Sequence, residues 1–411
     1  VAQIPVRDSS RPARRGNNLD DVRRNNLAVV LEISHARGRV SRAELTRATG
    51  LNRSTVGALV AELVELGLVD ETEPSATNQA GRPSPVIVPR EDVVAIAVNP
   101  EVDAVTIGLV ALNGRVLKRI RYDTARVPTP EEVVNIVAAV IAGMQSELNA
   151  SYRTVGVGVA VPGLVRAADG VVILAPHLGW RDVPIAEMLS AALKLPVTAA
   201  NDASAGVLAE GQYGAGRGAR ELVYLNGGAS GIGGGIALDG ELFGGTAGYA
   251  GEFGHTFVNS AGARCHCGAS GCLETEVRRA PLLALLGLDS TRSEELEEAL
   301  LAHLARPEGP DAAVVDLLKR QMSFLTIALR NVVNALNPEL VLLGGFLGTL
   351  YAVDPERLTA EISSGALPGA GDSVRFGRSE LGNELLMVGA AQLAFKPVLD
   401  DPASVAVPPA G

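Results

Sequence analysis

Apolar residues at Leu27, Val30 and Leu31 lie on one face of a first helix. Ser41-Arg42-Ala43-Glu44 is a capping box, in which the Ser hydroxyl and Glu carboxylate satisfy exposed backbone donors at a helix start. That helix runs to about Thr49 and stops at Gly50. Asn52 caps a third helix, buried along Val56, Leu59, Val60 and Leu63 at i, i+3, i+4, i+7. Two helices across a tight glycine-containing turn predict a helix-turn-helix. A short strand at 68–72, a Pro/Ser/Asn/Gly-rich loop at 74–85 and a second strand at 85–88 add a wing. Residues 17–90 therefore read as a winged helix-turn-helix.

The pattern changes after residue 91. Strands are predicted at 93–98, 104–112 and 116–122, the last two joined by the hairpin signal Asn113-Gly114. A helix is predicted over 130–148. Further apolar strands at 155–161, 196–200, 222–225 and 340–343 end in Pro162-Gly163, Asn201-Asp202, Gly227-Gly228 and Gly344-Gly345. Strands alternating with helices, with turn residues at the strand ends, predict an α/β body over 91–400 with ligands at those ends.

Charge divides the chain at the same place. The net charge is −10, yet residues 1–55 hold eleven arginines against five acidic residues, and 91–411 hold 36 acidic against 23 basic ones. A basic head on an acidic body suits a polyanion at the head alone. The candidate contacts to double-stranded operator DNA are Arg42, Arg53, Ser54 and Thr55 at the helix starts, for the major groove, and Arg82 in the wing, for the minor groove. No run of 18 apolar residues free of charge and glycine exists, and no apolar signal core leads the chain, so no membrane partner is expected.

All three cysteines cluster as His255-x9-Cys265-His266-Cys267-Gly268-x-x-Gly271-Cys272-x-Glu274. Cys265 and Cys267 are too close for an ordinary disulfide, and an odd total leaves one thiol over. Three thiols and one imidazole suit a structural, four-ligand Zn2+ site at His255, Cys265, Cys267 and Cys272, with His266 as the alternative fourth ligand. Thiols reserved for zinc point to a reducing, cytoplasmic setting.

These motifs, with Asn201-Asp202 and Gly251-Glu252-Phe253-Gly254-His255, resemble those of the ROK family (repressor, open reading frame, kinase) from about residue 18 to 398. The resemblance implies a two-lobed actin-like, ribonuclease H-like body. Lobe 1 would span about 91–200 plus a C-terminal helix at about 383–398, and lobe 2 about 201–382, including the zinc loop 255–274. It implies sugar contacts at Asn201, Asp202, Glu252, His255 and Glu274. Carboxylates and an amide suit a ring of hydroxyls that donate and accept. His255 would face zinc with one ring nitrogen and the sugar with the other.

Family kinases keep their catalytic base at the position of Asp202, and they carry Asp-x-Gly-Gly-Thr after the first body strand. This chain has Asn99-Pro100-Glu101-Val102 there, without glycine and with a proline that offers no N–H. The second phosphate loop, Gly-Thr-Gly in kinases, reads Ala229-Ser230-Gly231. The expectation is therefore a sugar-responsive repressor without kinase activity, acting as a homodimer or homotetramer on a two-fold operator. The rivals are a bifunctional sugar kinase with a DNA-binding head, and a repressor released by a protein partner. His177 stands where kinases often have Asn and is expected to tune ligand choice.

Overall fold

A computed structural model describes residues 19–73, 84–228, 231–289 and 295–404. It separates into two compact units, Val1–Arg90 with Lys396–Gly411, and Glu91–Phe395.

In the first unit, α1 (Leu19–Arg37) leads into β1 (Val40–Ser41), α2 (Arg42–Thr49), α3 (Arg53–Glu65), β2 (Val69–Thr72) and β3 (Val86–Pro89). The three strands pair antiparallel in the order β1-β3-β2. Local sequence sets these limits. Ser41 accepts from the Glu44 N–H at 3.2 Å while Glu44 accepts from the Ser41 N–H at 2.8 Å, and Gly50 closes α2 at φ 69°. Leu27, Val30, Leu31, Leu45, Val56, Leu59, Val60 and Leu63 are buried together with Ile87 of the wing. An exposed pair, Arg23 with Glu62 at 2.7 Å, ties α1 to α3.

The second unit repeats one sheet topology. β4 (Val93–Pro100), β5 (Ala104–Ala111) and β6 (Val116–Asp123) form an antiparallel meander. After α4 (Pro130–Ser151), β7 (Arg153–Val161) returns parallel to β4. A small sheet of β8 (Leu164–Arg166), β9 (Val171–Ala175) and β10 (Trp180–Val183) intervenes. Then come α5 (Ile185–Leu193) and β11 (Val197–Asn201), giving the order β11-β7-β4-β5-β6. α6 (Asp202–Tyr213) opens the second lobe, where β12 (Glu221–Gly227), β13 (Ile232–Leu238) and β14 (Glu241–Leu242) form the second meander. Helices α7 (Leu273–Glu276), α8 (Arg279–Leu285), α9 (Leu296–Leu304) and α10 (Ala312–Leu336) precede β15 (Leu340–Gly344). They are followed by α11 (Gly345–Val353), α12 (Pro355–Gly365), α13 (Ala370–Ser373), β16 (Arg375–Arg378) and α14 (Leu385–Asp400). The second sheet runs β14-β13-β12-β15-β16.

Side-chain size on alternate strand positions explains the layering. Val94, Ile96, Val98, Val157 and Val159 present bulk to α4 and α5. The opposite face carries Gly108 and Gly158, where an added Cβ would lie 2.8 Å from Met387 Sδ and 1.7 Å from the Ala390 carbonyl of α14. α14 and α6 share Leu385, Val388, Ala203 and Val207 with Leu222, Tyr224 and Leu342 of the second sheet, whose other face holds Val223, Leu225 and Val341 against α10, α11 and α12. The result is two sheets and three helical layers, the actin-like arrangement.

One helix bears on the membrane expectation. By length and composition alone, α4 is long and apolar enough to cross a bilayer. Its buried residues Val133, Val137, Ile141 and Leu148 instead pack in the core of the first sheet, so they act as the stripe of an ordinary core helix.

Candidate ligand cavity and metal-ligand cluster

Asn201 ends β11 and caps α6. Its Oδ1 accepts from the Ala203 N–H at 2.9 Å and the Ser204 N–H at 3.1 Å, and its Nδ2 donates to the Gly163 carbonyl at 3.0 Å. The amide is thereby fixed with one hydrogen left for a ligand. Asp202, the first residue of α6, borders a cavity of about 200 Å³ that lies between the lobes within the body. Asn201, Asn226, Glu252, His255, Glu274 and His177 line the same space. All five residues expected to contact sugar are therefore brought to one cavity. Asn226, the penultimate residue of β12, has no sequence signal beyond its place at a strand end.

Two carboxyl groups are strained electrostatically. Burial pushes Asp202 up to about 6, against the opposing hydrogen bond from the Ala203 N–H. Glu252 is also pushed up to about 6, by burial first and then by the negative charges of Asp202 and Glu274. Acids crowded at a cavity wall are poised to accept hydroxyl hydrogens once ionised.

Glu274 faces the cavity from α7, with its side chain only 9% exposed. Its Oε1 lies 3.0 Å from Cys265 Sγ, 3.4 Å from His255 Nδ1 and 3.1 Å from His266 Nδ1. Its Oε2 occupies the space a side chain at Gly231 would need, 2.4 Å from an added Cβ. Ala229 and Ser230 of the altered phosphate loop lie outside the described residues.

The ligand atoms of His255, Cys265, Cys267 and Cys272 all lie within 4.8 Å of one another. Cys267 Sγ is 3.7 Å from Cys272 Sγ, and Cys265 Sγ is 3.6 Å from His255 Nδ1. No disulfide forms among the three. A tetrahedral zinc with bonds of about 2.0–2.3 Å sets edges of about 3.5–3.8 Å, so this donor set fits. His266, the alternative ligand, sits farther from Cys265, at 3.9 Å, and groups with His255 and Glu274 instead.

The loop carrying the cysteines is latched by a residue outside the cysteine motif. Glu276 is buried and accepts from Asn259 Nδ2 at 2.9 Å, the Ala263 N–H at 3.1 Å and Arg320 at 3.2 Å. Burial alone would raise its pKa, but these three donors win and hold it below the usual value. Gly271, at φ 73°, lies where any Cβ would overlap the Asn259 carbonyl, at 1.8 Å.

The end of β4 and the residue after it have partners within the fold. Asn99 is buried and donates to the Ala160 carbonyl at 2.9 Å. Glu101 accepts from Thr106 Oγ1 at 2.7 Å and pairs with Arg121 at 2.8 Å. Asn99 is thus held inside the fold, and Glu101 has its own partners nearer the surface.

In the head, Arg53 is exposed on the first turn of α3. Ser54 Oγ donates to Asn52 Oδ1 at 2.6 Å, and the Thr55 N–H donates to the same oxygen at 2.9 Å. Arg42 is held by Glu71 of β2 at 2.6 Å, so a DNA contact from it would have to compete with that pair. Arg82 lies outside the described residues.

A family model described as "ROK family" matches residues 95–396. The chain belongs to the ROK family. A second model, "MarR family", matches residues 20–79, and the head is thus a MarR-type winged helix ahead of the ROK body. This ROK chain is 27% identical over 362 residues to the xylose repressor of Bacillus subtilis, covering 88% of this chain and 92% of that one. It is 30% identical over 308 residues to the glucokinase of Streptomyces coelicolor, covering 71% and 94%. Among solved structures, a ROK family transcriptional regulator, homologous to the MLC protein of E. coli, superposes with a TM-score of 0.74. It is 25% identical, with 92% of this chain and 97% of that one covered. A ROK family glucokinase from Streptomyces griseus, in complex with glucose and AMPPNP, gives a TM-score of 0.60 at 26% identity over 74% and 99%.

Proposed function

We propose that this ROK protein is a sugar-responsive transcriptional repressor of carbohydrate genes that binds operator DNA through its winged head and lacks kinase activity. The observation that carries the reading is the contrast between two sites in one body. The hydroxyl-binding set Asn201, Asp202, Glu252 and Glu274 lines an open cavity, while Asn99, Pro100 and Glu101, where a kinase needs its phosphate turn, are locked into the fold. Phosphoryl transfer depends on positioning and charge stabilisation, so a missing phosphate cradle removes the activity even with the base position intact. Relatives named xylose repressor, matched over 88% of this chain, support the same reading.

Zinc on His255, Cys265, Cys267 and Cys272 would be structural, with all four positions taken by protein. His255 would then present its second ring nitrogen to the cavity, and Glu274, against His255 and Cys265, would be oriented with it. Binding of a hydroxyl-rich ligand here changes DNA affinity by the ratio of its affinities for the two states of the body. A 100-fold ratio corresponds to about 2.7 kcal/mol. The working form is a homodimer or homotetramer in the cytoplasm, since reading a two-fold operator takes two heads. A panel of neutral sugars with ATP, followed by ADP release, separates this reading from the bifunctional-kinase reading: no sugar-dependent ADP is expected.

A further inference from the structure

We propose that Cys267 is an oxidation site with Cys272 as its resolving thiol, through which a hydroperoxide removes the zinc and the sugar response together. The inference rests on the zinc and sugar readings given above. The three thiols are not equivalent. Cys265 and Cys272 are buried, at 4% and 1% exposure, whereas Cys267 is exposed and also borders the ligand cavity. A thiolate meets an oxidant from solution only where it is accessible, and that singles out Cys267. Its Sγ lies 3.7 Å from Cys272 Sγ. Cys265 is turned elsewhere, with its Sγ 3.0 Å from Glu274 Oε1 and 3.6 Å from His255 Nδ1.

The backbone suits closure of the Cys267–Cys272 pair. Cys272 is anchored: it bridges to Phe257, and the Leu273 N–H beside it donates to the Thr256 carbonyl at 3.0 Å. Cys267 leads into an exposed turn, Gly268-Ala269-Ser270, and a Cβ on Gly268 would meet no atom within 4 Å. The two cysteines stand five positions apart, a spacing open to an ordinary disulfide as that of Cys265 and Cys267 is not.

With hydrogen peroxide the chemistry balances. The Cys267 thiolate attacks one peroxide oxygen, the O–O bond breaks, and the other oxygen leaves as hydroxide, giving a sulfenic acid. The Cys272 thiolate then attacks that sulfur, the S–S bond forms, and a second hydroxide leaves. Solvent protonates both to water. Each sulfur gives up one electron, and the peroxide takes the two. Only His255 and Cys265 then remain to hold the ion, where a structural site uses four protein ligands. Glu274 faces the cavity and contacts both, so its orientation is lost with them. The oxidised repressor therefore stays on the operator when sugar is present.

The test treats the full chain, its zinc content measured first, with a slight excess of hydrogen peroxide beside a chromogenic chelator. About one zinc per chain should be released, free thiols should fall from three to one, and peptide mapping should find Cys267 joined to Cys272. Sugar affinity should fall about tenfold or more, and reductant with added zinc should restore it. Cys267→His keeps a zinc-binding side chain and removes the accessible thiol, so its zinc should leave about tenfold more slowly or slower still. If that variant holds no zinc, the peptide map of the native chain decides. Zinc retained with three free thiols, a disulfide through Cys265 or between chains, or equally fast release from Cys267→His overturns the oxidation site. Disulfide formation with unchanged sugar affinity overturns its control of the sugar response. A chain without zinc before oxidation overturns the zinc reading itself, and one that holds zinc but binds no sugar overturns the sugar reading.

Discussion

Glu274 Oε1 lies 3.4 Å from His255 Nδ1, so one carboxylate joins the wall of the ligand cavity to the cluster of cysteines. Its orientation depends on what holds His255, and loss of that anchor loosens both features at once. Metal analysis of protein purified without chelator should find about one zinc per chain. Cys267→Ser should lose it, and sugar affinity should fall with it by tenfold or more, as for other changes to the partners that orient a metal's ligands. A zinc-free native protein with full sugar affinity would break the link.

The raised carboxyl groups set a pH dependence. Asp202 and Glu252 titrate near 6 in the fold, above their ordinary values, so ionising them costs stability. The unliganded chain should therefore gain stability from these groups as pH falls from above 6 towards 4, and lose it as pH rises through 6. Sugar affinity should move the other way, weakening below pH 6 as the acceptors are protonated. Asp202→Asn should raise the unliganded melting temperature at pH 7.5, from a gain on the order of 2 kcal/mol, while weakening sugar binding. A lowered melting temperature would show that the carboxylate is not under strain.

DNA recognition should be uneven across the candidate contacts. Arg53→Ala should cost about 1–3 kcal/mol in operator affinity, the range for a base-edge contact. Arg42→Ala should cost less, because Arg42 is already paired with Glu71. Fluorescence anisotropy on an operator selected from random-sequence DNA measures both. Equal losses would mean that Arg42 leaves Glu71 to reach DNA.

The latch on the cysteine loop gives a stability prediction. Glu276→Gln leaves the shape and removes the charge that Asn259, Ala263 and Arg320 satisfy. Loss of these charge-assisted hydrogen bonds should cost about 1–3 kcal/mol, read as a fall in the denaturation midpoint. A loss no larger than that of an exposed Glu→Gln control would show that the loop is held without it.

The features legible in the sequence were those set by near neighbours. The Ser41–Glu44 box, the Asn52 cap and the Asn113-Gly114 hairpin need only three or four residues, and each stands where the pattern placed it. The cysteine cluster was legible for the same reason. Long-range pairing was not. Nothing local announces that β8, β9 and β10 form a sheet of their own, or that Arg42 meets Glu71 29 residues away. The motif marks Asn201 as a ligand contact, but most of its hydrogen-bonding capacity caps α6 and holds Gly163. Glu276 looked like any helical acid until Asn259 and Arg320 came together around it.

The most direct measurement is operator occupancy against effector concentration, for the native chain and for Glu252→Ala, with ADP release followed in parallel. The native chain should leave the operator as sugar is added, and Glu252→Ala should bind the operator equally well and stay on it. Neither should release ADP. Sugar-dependent ADP release by the native chain that Asp202→Asn abolishes would contradict the account and make the protein a kinase.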